Sequence, residues 1–303
     1  MPKNAIAHAG AMLCILFWGT SFISSKIVLE SLSPVSVMFL RAALCIAFLF
    51  AIHPRTYRME RKRDELWVVL AALLGVFSYQ MLENNALTMT YSSNVCVIAS
   101  TAPCFTVLLA RAFDRSMRIR WTFFLGFAIS IAGIYLISFG SGAVHLSLKG
   151  DLLALAAAVS WGGYSVVMKR LSTFGIDNTA LTRRIFEYAL LMILPFEVAG
   201  FSSSELKALT DPVVLLNIIF LGAFCSAFCF GVWNYAIRKI GAVESSVYIY
   251  LSPSVTLVFS FLVLGEPVTA LSVLGVALTV IGLLASDKDV MDGLRNLISR
   301  RCS

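Results

Sequence analysis

The sequence predicts an all-α integral membrane protein, with ten transmembrane helices arranged as two inverted-topology five-helix repeats. Three observations predict this. Apolar residues make up 59% of the 303-residue chain and charged residues only 14%, with a mean hydropathy of +0.85; a soluble domain carries about 25% charge. The apolar residues gather into ten runs, each near the ~20 residues that a helix needs to cross a bilayer. Marks in the first half of the chain also recur in the second at a nearly constant offset.

In chain order, the runs cover roughly 6–29, 34–53, 66–87, 92–113, 120–140, 150–170, 179–200, 212–237, 243–264 and 269–286. The separators are short and carry turn or charge signals: "LESLSP", "HPRTYRMERKRDE", "DRSMRIR", "GSGAVHLSLKGD", "SSSELKALTDP", "RKIGAVE" and "GEPVT". The first run follows Lys3 as a secretory signal would. It is too long for the apolar core of one, and further spans follow at once, so it is read as uncleaved. Residues 1–143 form the expected first repeat and 144–286 the second. Residues 287–303 form a cytoplasmic tail that places Met291, Leu294, Leu297 and Ile298 on one face of a surface helix.

Orientation follows from the basic residues, which are retained on the cytoplasmic side of span ends. With both termini inside, eighteen Lys and Arg residues face the cytoplasm and only Lys149 and Lys207 face outward; Lys26, Arg41, Arg183 and Arg184 lie within spans. This placement explains the net charge of +7 without nucleic acid as a partner. The partners expected are the lipid bilayer and a small-molecule substrate. The seven cysteines contain no Cys-x-x-Cys pair, so neither a disulfide framework nor a zinc site is indicated.

The repeat is visible at many positions. "WGTSFISSK" (18–26) returns 143 residues later as "WGGYSVVMK" (161–169), and Arg41 falls on Arg184 at the same offset. Asn84-Asn85-Ala86-Leu87 falls on Asn234-Tyr235-Ala236-Ile237, and Pro103 and Thr106 fall on Pro253 and Thr256, all at 150. Leu125-Gly126 and Gly133 fall on Leu274-Gly275 and Gly282 at 149. Five spans per half is an odd number, so the second copy enters the membrane upside down. Secondary transporters have this plan, with the substrate site at the repeat interface near the midplane.

With the Trp-Gly of the first span, Arg41 in the second, prolines in the fourth and ninth, and the closing "LGEPVTALSVLGVALTVIGLLA", the chain resembles the EamA-type drug/metabolite transporters. The likeness covers all ten spans. It implies a carrier of small organic solutes in the bacterial inner membrane, often an exporter of amino acids or related metabolites. One departure is that the Gly-Glu of "LGEP" has no counterpart in the first half, which reads "RAFDRS".

Candidate site residues follow from helical spacing. Tyr79, Gln80, Glu83 and Asn84 form one polar stripe, and a carboxylate at membrane depth usually faces a cavity or a partner. Glu83 could hold a substrate ammonium or carry a coupling proton; the alternative is a solvated group at the outer interface. The repeat mates of this stripe are Cys229, Phe230, Trp233 and Asn234. One half thus offers charge and amides, the other rings. Arg41 and Arg184 could bind a carboxylate or close a gate, but burial demands partners, and Arg183 and Glu187 have the i, i+4 spacing of an ion pair. The structural role is the stronger reading for these arginines.

Trp18 and Ser21, with Trp161, Tyr164 and Ser165, mix rings and hydroxyls on helix faces that suit packing or cavity lining equally. Tyr248 and Ser252 share a face of span nine. Pro103 and Pro253 are expected to bend their helices and act as hinges, while the paired glycines of spans five and ten suit close packing. No His-Glu-x-x-His or phosphate-binding loop occurs, and the three histidines lie near span ends or loops. No catalytic residues, metal or cofactor are expected. A multidrug or organic-cation exporter is the competing carrier, and an intramembrane enzyme is the rival from another class.

Overall fold

The computed structural model describes residues 4–54, 62–114, 121–140, 147–200, 202–264 and 268–286. Among them all regular structure is helical. Seven helices are long and apolar enough to cross a membrane, and the apolar helices Trp121–Gly133 and Ala270–Gly282 are shorter. The expected tail helix at 287–303, the junction at 143/144 and most of the basic loop residues lie outside the described residues.

The first half runs α1 (Ala5–Val28), α2 (Pro34–Ile52), α3 (Lys62–Ala72), α4 (Tyr79–Met89), α5 (Ser92–Ala99), α6 (Ala102–Phe113) and α7 (Trp121–Gly140). The second runs α8 (Leu148–Leu171), α9 (Asn178–Gly200), α10 (Ser203–Ala208), α11 (Pro212–Ile219), α12 (Cys229–Ile240), α13 (Ala242–Ser246), α14 (Ser252–Leu264) and α15 (Ala270–Ser286). Packing pairs the halves element by element: α2 lies on α9, α7 on α15, and α5 on α14. Crosswise, α4 packs on α8 as α12 packs on α1.

Four of the spans expected from the sequence are interrupted, and the interruptions match across the halves. A wide π-helical stretch, Leu73–Ser78, joins α3 to α4, and Phe220–Phe228 joins α11 to α12. Such stretches leave backbone carbonyls without helical partners and recur at functional sites. Here the helices packed against them supply donors: the Ser160 hydroxyl donates to the Leu74 carbonyl at 2.8 Å, and the Trp18 Nε1–H to the Cys225 carbonyl at 2.9 Å.

The second pair of breaks corrects an expectation. Pro103 and Pro253 do not bend continuous helices. Span four stops at Ser100–Thr101 and restarts as α6, while span nine passes through a 3₁₀ stretch, Val247–Leu251, before α14. Each proline is the second residue of the new helix, where a missing N–H costs no hydrogen bond.

Glycines fix the closest approaches. A Cβ on Gly133 would meet the Gly275 carbonyl at 2.5 Å, and one on Gly282 would meet the Gly126 carbonyl at 2.5 Å. The two contacts are reciprocal, so α7 and α15 interlock. In α1 and α8, a Cβ on Gly19 would meet Val255 at 2.6 Å and one on Gly162 would meet the Phe105 Cβ at 2.9 Å. Residues 105 and 255 are themselves related by the 150-residue offset.

Candidate functional site

Helices α1, α2, α4, α5, α8 and α12 and the restarted helices α6 and α14 line a cavity between the halves. From the first half it is lined by Trp18, Ser21, Phe22, Arg41, Tyr79, Gln80, Glu83, Cys96, Ala99, Ser100 and Ala102; from the second, by Trp161, Phe230, Ile249 and Ser252. Its volume is about 40 Å³, room for a few waters. A larger solute therefore requires its walls to part.

Helical geometry explains most of the lining. Tyr79, Gln80 and Glu83 open the first turns of α4, directly after the π stretch, and Phe230 holds the matching place in α12. Tyr79 and Glu83 lie one turn apart on the same face of α4. Trp18 meets Trp161 edge to face with ring centroids 5.1 Å apart, and Phe230 closes the aromatic wall at 5.8 Å from Trp18 and 5.6 Å from Trp161. Arg41 reaches in from α2, its Nε donating to the Ser226 hydroxyl at 3.4 Å while Nη1 has no hydrogen-bond partner.

Several residues grouped with these by spacing take other partners. Asn84 lies a turn beyond Gln80 and donates to the Pro34 carbonyl at 3.3 Å. Tyr164 donates to the Asn234 Oδ1 at 2.6 Å, and Asn234 donates to the Thr182 hydroxyl at 3.0 Å, a buried network linking α8, α12 and α9. The Ser165 hydroxyl is taken by the Trp161 carbonyl. Trp233 does not line the cavity; its ring is tilted 58° to that of Trp18, with centroids 5.0 Å apart.

Tyr248 pairs with His8 Nδ1 at 2.8 Å, outside the cavity, while Ile249 lines it together with Ser252. The expectation that joined Tyr248 to Ser252 assumed α-helical spacing. The 3₁₀ winding of Val247–Leu251 has three residues per turn, which brings residues 249 and 252 to one side.

The arginines divide. Arg183 is buried, sits 3.2 Å from Glu187, donates to the His53 carbonyl at 2.6 Å and lies over the Phe50 ring. Arg184, the repeat mate of Arg41, turns away from the cavity to pair with Glu65 of α3, which also accepts from the Tyr188 hydroxyl at 2.8 Å. Lys26 donates to the Leu87 and Thr90 carbonyls; a cation there offsets the orphan carbonyls at the end of α4.

Cys96, Ala99, Ser100, Ala102 and Ile249 had no chemical signal in the sequence. Ala102 could have been found at the 150-residue offset from Ser252, and Ala99 at the same offset from Ile249.

A second, wider pocket of about 680 Å³ lies further along α6 and α8. Trp67, Phe113, Asp114, Lys169, Arg170 and Glu244 are among its lining residues.

Comparison with known proteins gives one consistent answer. Residues 5–139 and 148–286 each match the EamA-like transporter family. A probable terminal-alkyne amino-acid exporter of Streptantibioticus cattleyicolor is 28% identical over 276 residues, covering 90% of each chain. A probable amino-acid metabolite efflux pump of Escherichia coli is 24% identical, covering 90% of this chain and 92% of the relative. A solved crystal structure superposes with a TM-score of 0.73 at 19% identity, covering 98% of both chains; at that identity the likeness concerns the fold alone.

Proposed function

The chain belongs to the EamA-like transporter family, and from that premise we propose that it is a secondary carrier exporting amino acids or related metabolites by alternating access. It is a multi-pass membrane protein that transports solutes. The observation that carries the finer reading is the buried cavity between the two halves, walled by Trp18 and Trp161 and holding Arg41 and Glu83 together. Transporter sites form at repeat interfaces near the midplane.

The reading has ten spans in two inverted units, 1–143 and 144–286, in the bacterial inner membrane with both termini cytoplasmic. The two separate family matches and the reciprocal packing of α2 on α9 and α7 on α15 support it. The wider pocket lies among the span ends that the basic residues assign to the cytoplasm. It would serve as the vestibule through which a solute enters before export. Movement at the breaks beside Pro103 and Pro253 would open and close the central cavity. Glu83 would carry the coupling proton, since a buried carboxylate beside the cavity can change charge as the site opens to each side. The protein acts as a carrier, with no covalent step.

The competing organic-cation exporter rests on one observation, the pairing of Glu83 with an aromatic wall, which would suit a cation.

Flux from proteoliposomes loaded with candidate solutes, with and without an imposed pH gradient, tests the proposal. Protein-dependent amino-acid flux supports it. No flux for amino acids, nucleosides and organic cations alike would sink it.

A further inference from the structure

We propose that the central cavity recognises its solute as a zwitterion, with Arg41 as the anchor of a free carboxylate beside the ammonium site at Glu83. The inference rests on the carrier reading and narrows it: molecules with only one of the two charges are rejected.

Three cavity-lining side chains hold buried polar atoms with no hydrogen-bond partner: Arg41 Nη1, both amide atoms of Gln80, and Trp161 Nε1. Their side chains are deeply buried, at 4%, 1% and 5% exposure. Buried polar groups are nearly always paired; the Glu83 carboxylate lies within electrostatic reach of the Arg41 charge, but Nη1 still has no hydrogen-bond partner. Most of these orphans are donors. Arg41 supplies charge and a planar fork that fits a carboxylate; its Nε contact with Ser226 fixes the guanidinium while Nη1 stays free. Trp161 adds a neutral N–H, as its mate Trp18 cannot: Trp18 Nε1 is committed to the Cys225 carbonyl.

Charge balance decides the rest. The cavity wall carries one guanidinium and one carboxylate. A zwitterion pairs both. An organic cation pairs Glu83 but leaves Arg41 facing a buried like charge, and a simple carboxylate leaves Glu83 in the same position. Among the described residues of the second half none lining the cavity is charged: Arg184 is held by Glu65, the mate of Gln80 is Phe230, and the mate of Glu83 is Trp233. Charge recognition thus belongs to the first half; the second adds the Trp161 N–H, and its rings are left for the apolar side chain.

The test is flux through wild-type protein in liposomes, corrected for protein-free vesicles. L-phenylalanine is compared with phenethylamine and 3-phenylpropionate, and L-leucine with 3-methylbutylamine and 4-methylpentanoate. Each amino acid is expected to move at least tenfold faster than its amine and its acid. Trp161→Phe, which keeps an aromatic ring and removes the N–H, should raise the half-saturating amino-acid concentration several-fold without changing that of any residual amine. Arg41→Lys should do so more strongly, and Arg41→Gln should erase the preference over the amine. Amine flux equal to that of the parent amino acid overturns the carboxylate anchor and leaves transport standing. No flux of any of the six overturns the inference together with the amino-acid reading on which it rests.

Discussion

Trp18 and Trp161, repeat mates 143 residues apart, meet inside the protein with their ring planes at 87° and centroids 5.1 Å apart. Edge-to-face is a favoured geometry for aromatic pairs, and here it brings α1 and α8 together at the cavity wall. The glycine after each tryptophan matters as much as the ring. Gly19 admits α14 at Val255 and Gly162 admits α6 at Phe105, so both restarted helices approach the cavity through the same two-residue motif.

Gly19→Ala and Gly162→Ala are therefore expected to destabilise the protein, since each new Cβ would sit within 3 Å of packed atoms. Overpacking of this kind costs about 1–3 kcal/mol. Thermal denaturation in detergent should show a drop of several degrees for both. Gly231→Ala, where the added Cβ meets nothing within 4 Å, should leave the midpoint unchanged.

Glu83→Gln keeps the shape of the cavity wall and removes its ionisable group. Exchange of labelled amino acid across a vesicle membrane should persist at reduced rate, while accumulation driven by a pH gradient should fall at least tenfold. Accumulation that still follows the gradient would show that Glu83 is not the coupling site.

Arg184 and Arg41 occupy equivalent sequence positions but should give opposite phenotypes. Arg184→Ala removes a partly exposed pair with Glu65, worth about 1 kcal/mol. It should lower the denaturation midpoint slightly and leave the preference for amino acids over amines intact. A changed preference in this variant would contradict the assignment of recognition to Arg41.

Glu205, in the short helix α10 between spans seven and eight, fastens that helix to the start of α2. Its Oε1 accepts from the Ser33 N–H at 2.7 Å and its Oε2 from the Ser202 N–H at 3.2 Å. Burial pushes this carboxyl up, but the two backbone donors, together with the Ser33 and Ser36 hydroxyls, outweigh burial and hold it below its ordinary value. A depressed folded-state value means stability that is fully present above the unfolded value of about 4.3 and is lost as pH falls through the lower, folded value. Protection factors of the α10 amides, which remove the intrinsic pH dependence of exchange, should thus be high at neutral pH and fall below about pH 4. Glu205→Ala should show the low protection at every pH, with a loss of about 1–3 kcal/mol for hydrogen bonds to a charged acceptor.

Much of the fold was legible in the chain. Hydropathy marks the helices because a lipid-facing or buried surface leaves few places for charge. The offset echo marks the two halves because Trp-Gly, the paired prolines and the spaced glycines each answer a packing need that recurs in both. Of the candidate residues, Trp18, Ser21, Tyr79, Gln80, Glu83, Trp161, Phe230 and Ser252 line one cavity. Asn84, Tyr164, Ser165, Trp233, Asn234 and Tyr248 do not, and Arg41, read from the sequence as structural, does.

The sequence by itself determined the membrane setting, the duplicated plan and the family, since these depend on composition and on one-dimensional periodicity. Only the tertiary structure decided which side of each helix faces the cavity. That depends on winding: the π stretches at Leu73–Ser78 and Phe220–Phe228 and the 3₁₀ stretch at Val247–Leu251 each change the angle per residue from the α-helical value. Every side chain beyond them is rotated relative to a straight-helix reading. It also decided the fates of Arg41 and Arg184, which equivalent positions cannot distinguish. Arg184 finds Glu65 on a neighbouring helix, and Arg41 finds Ser226 and the cavity wall.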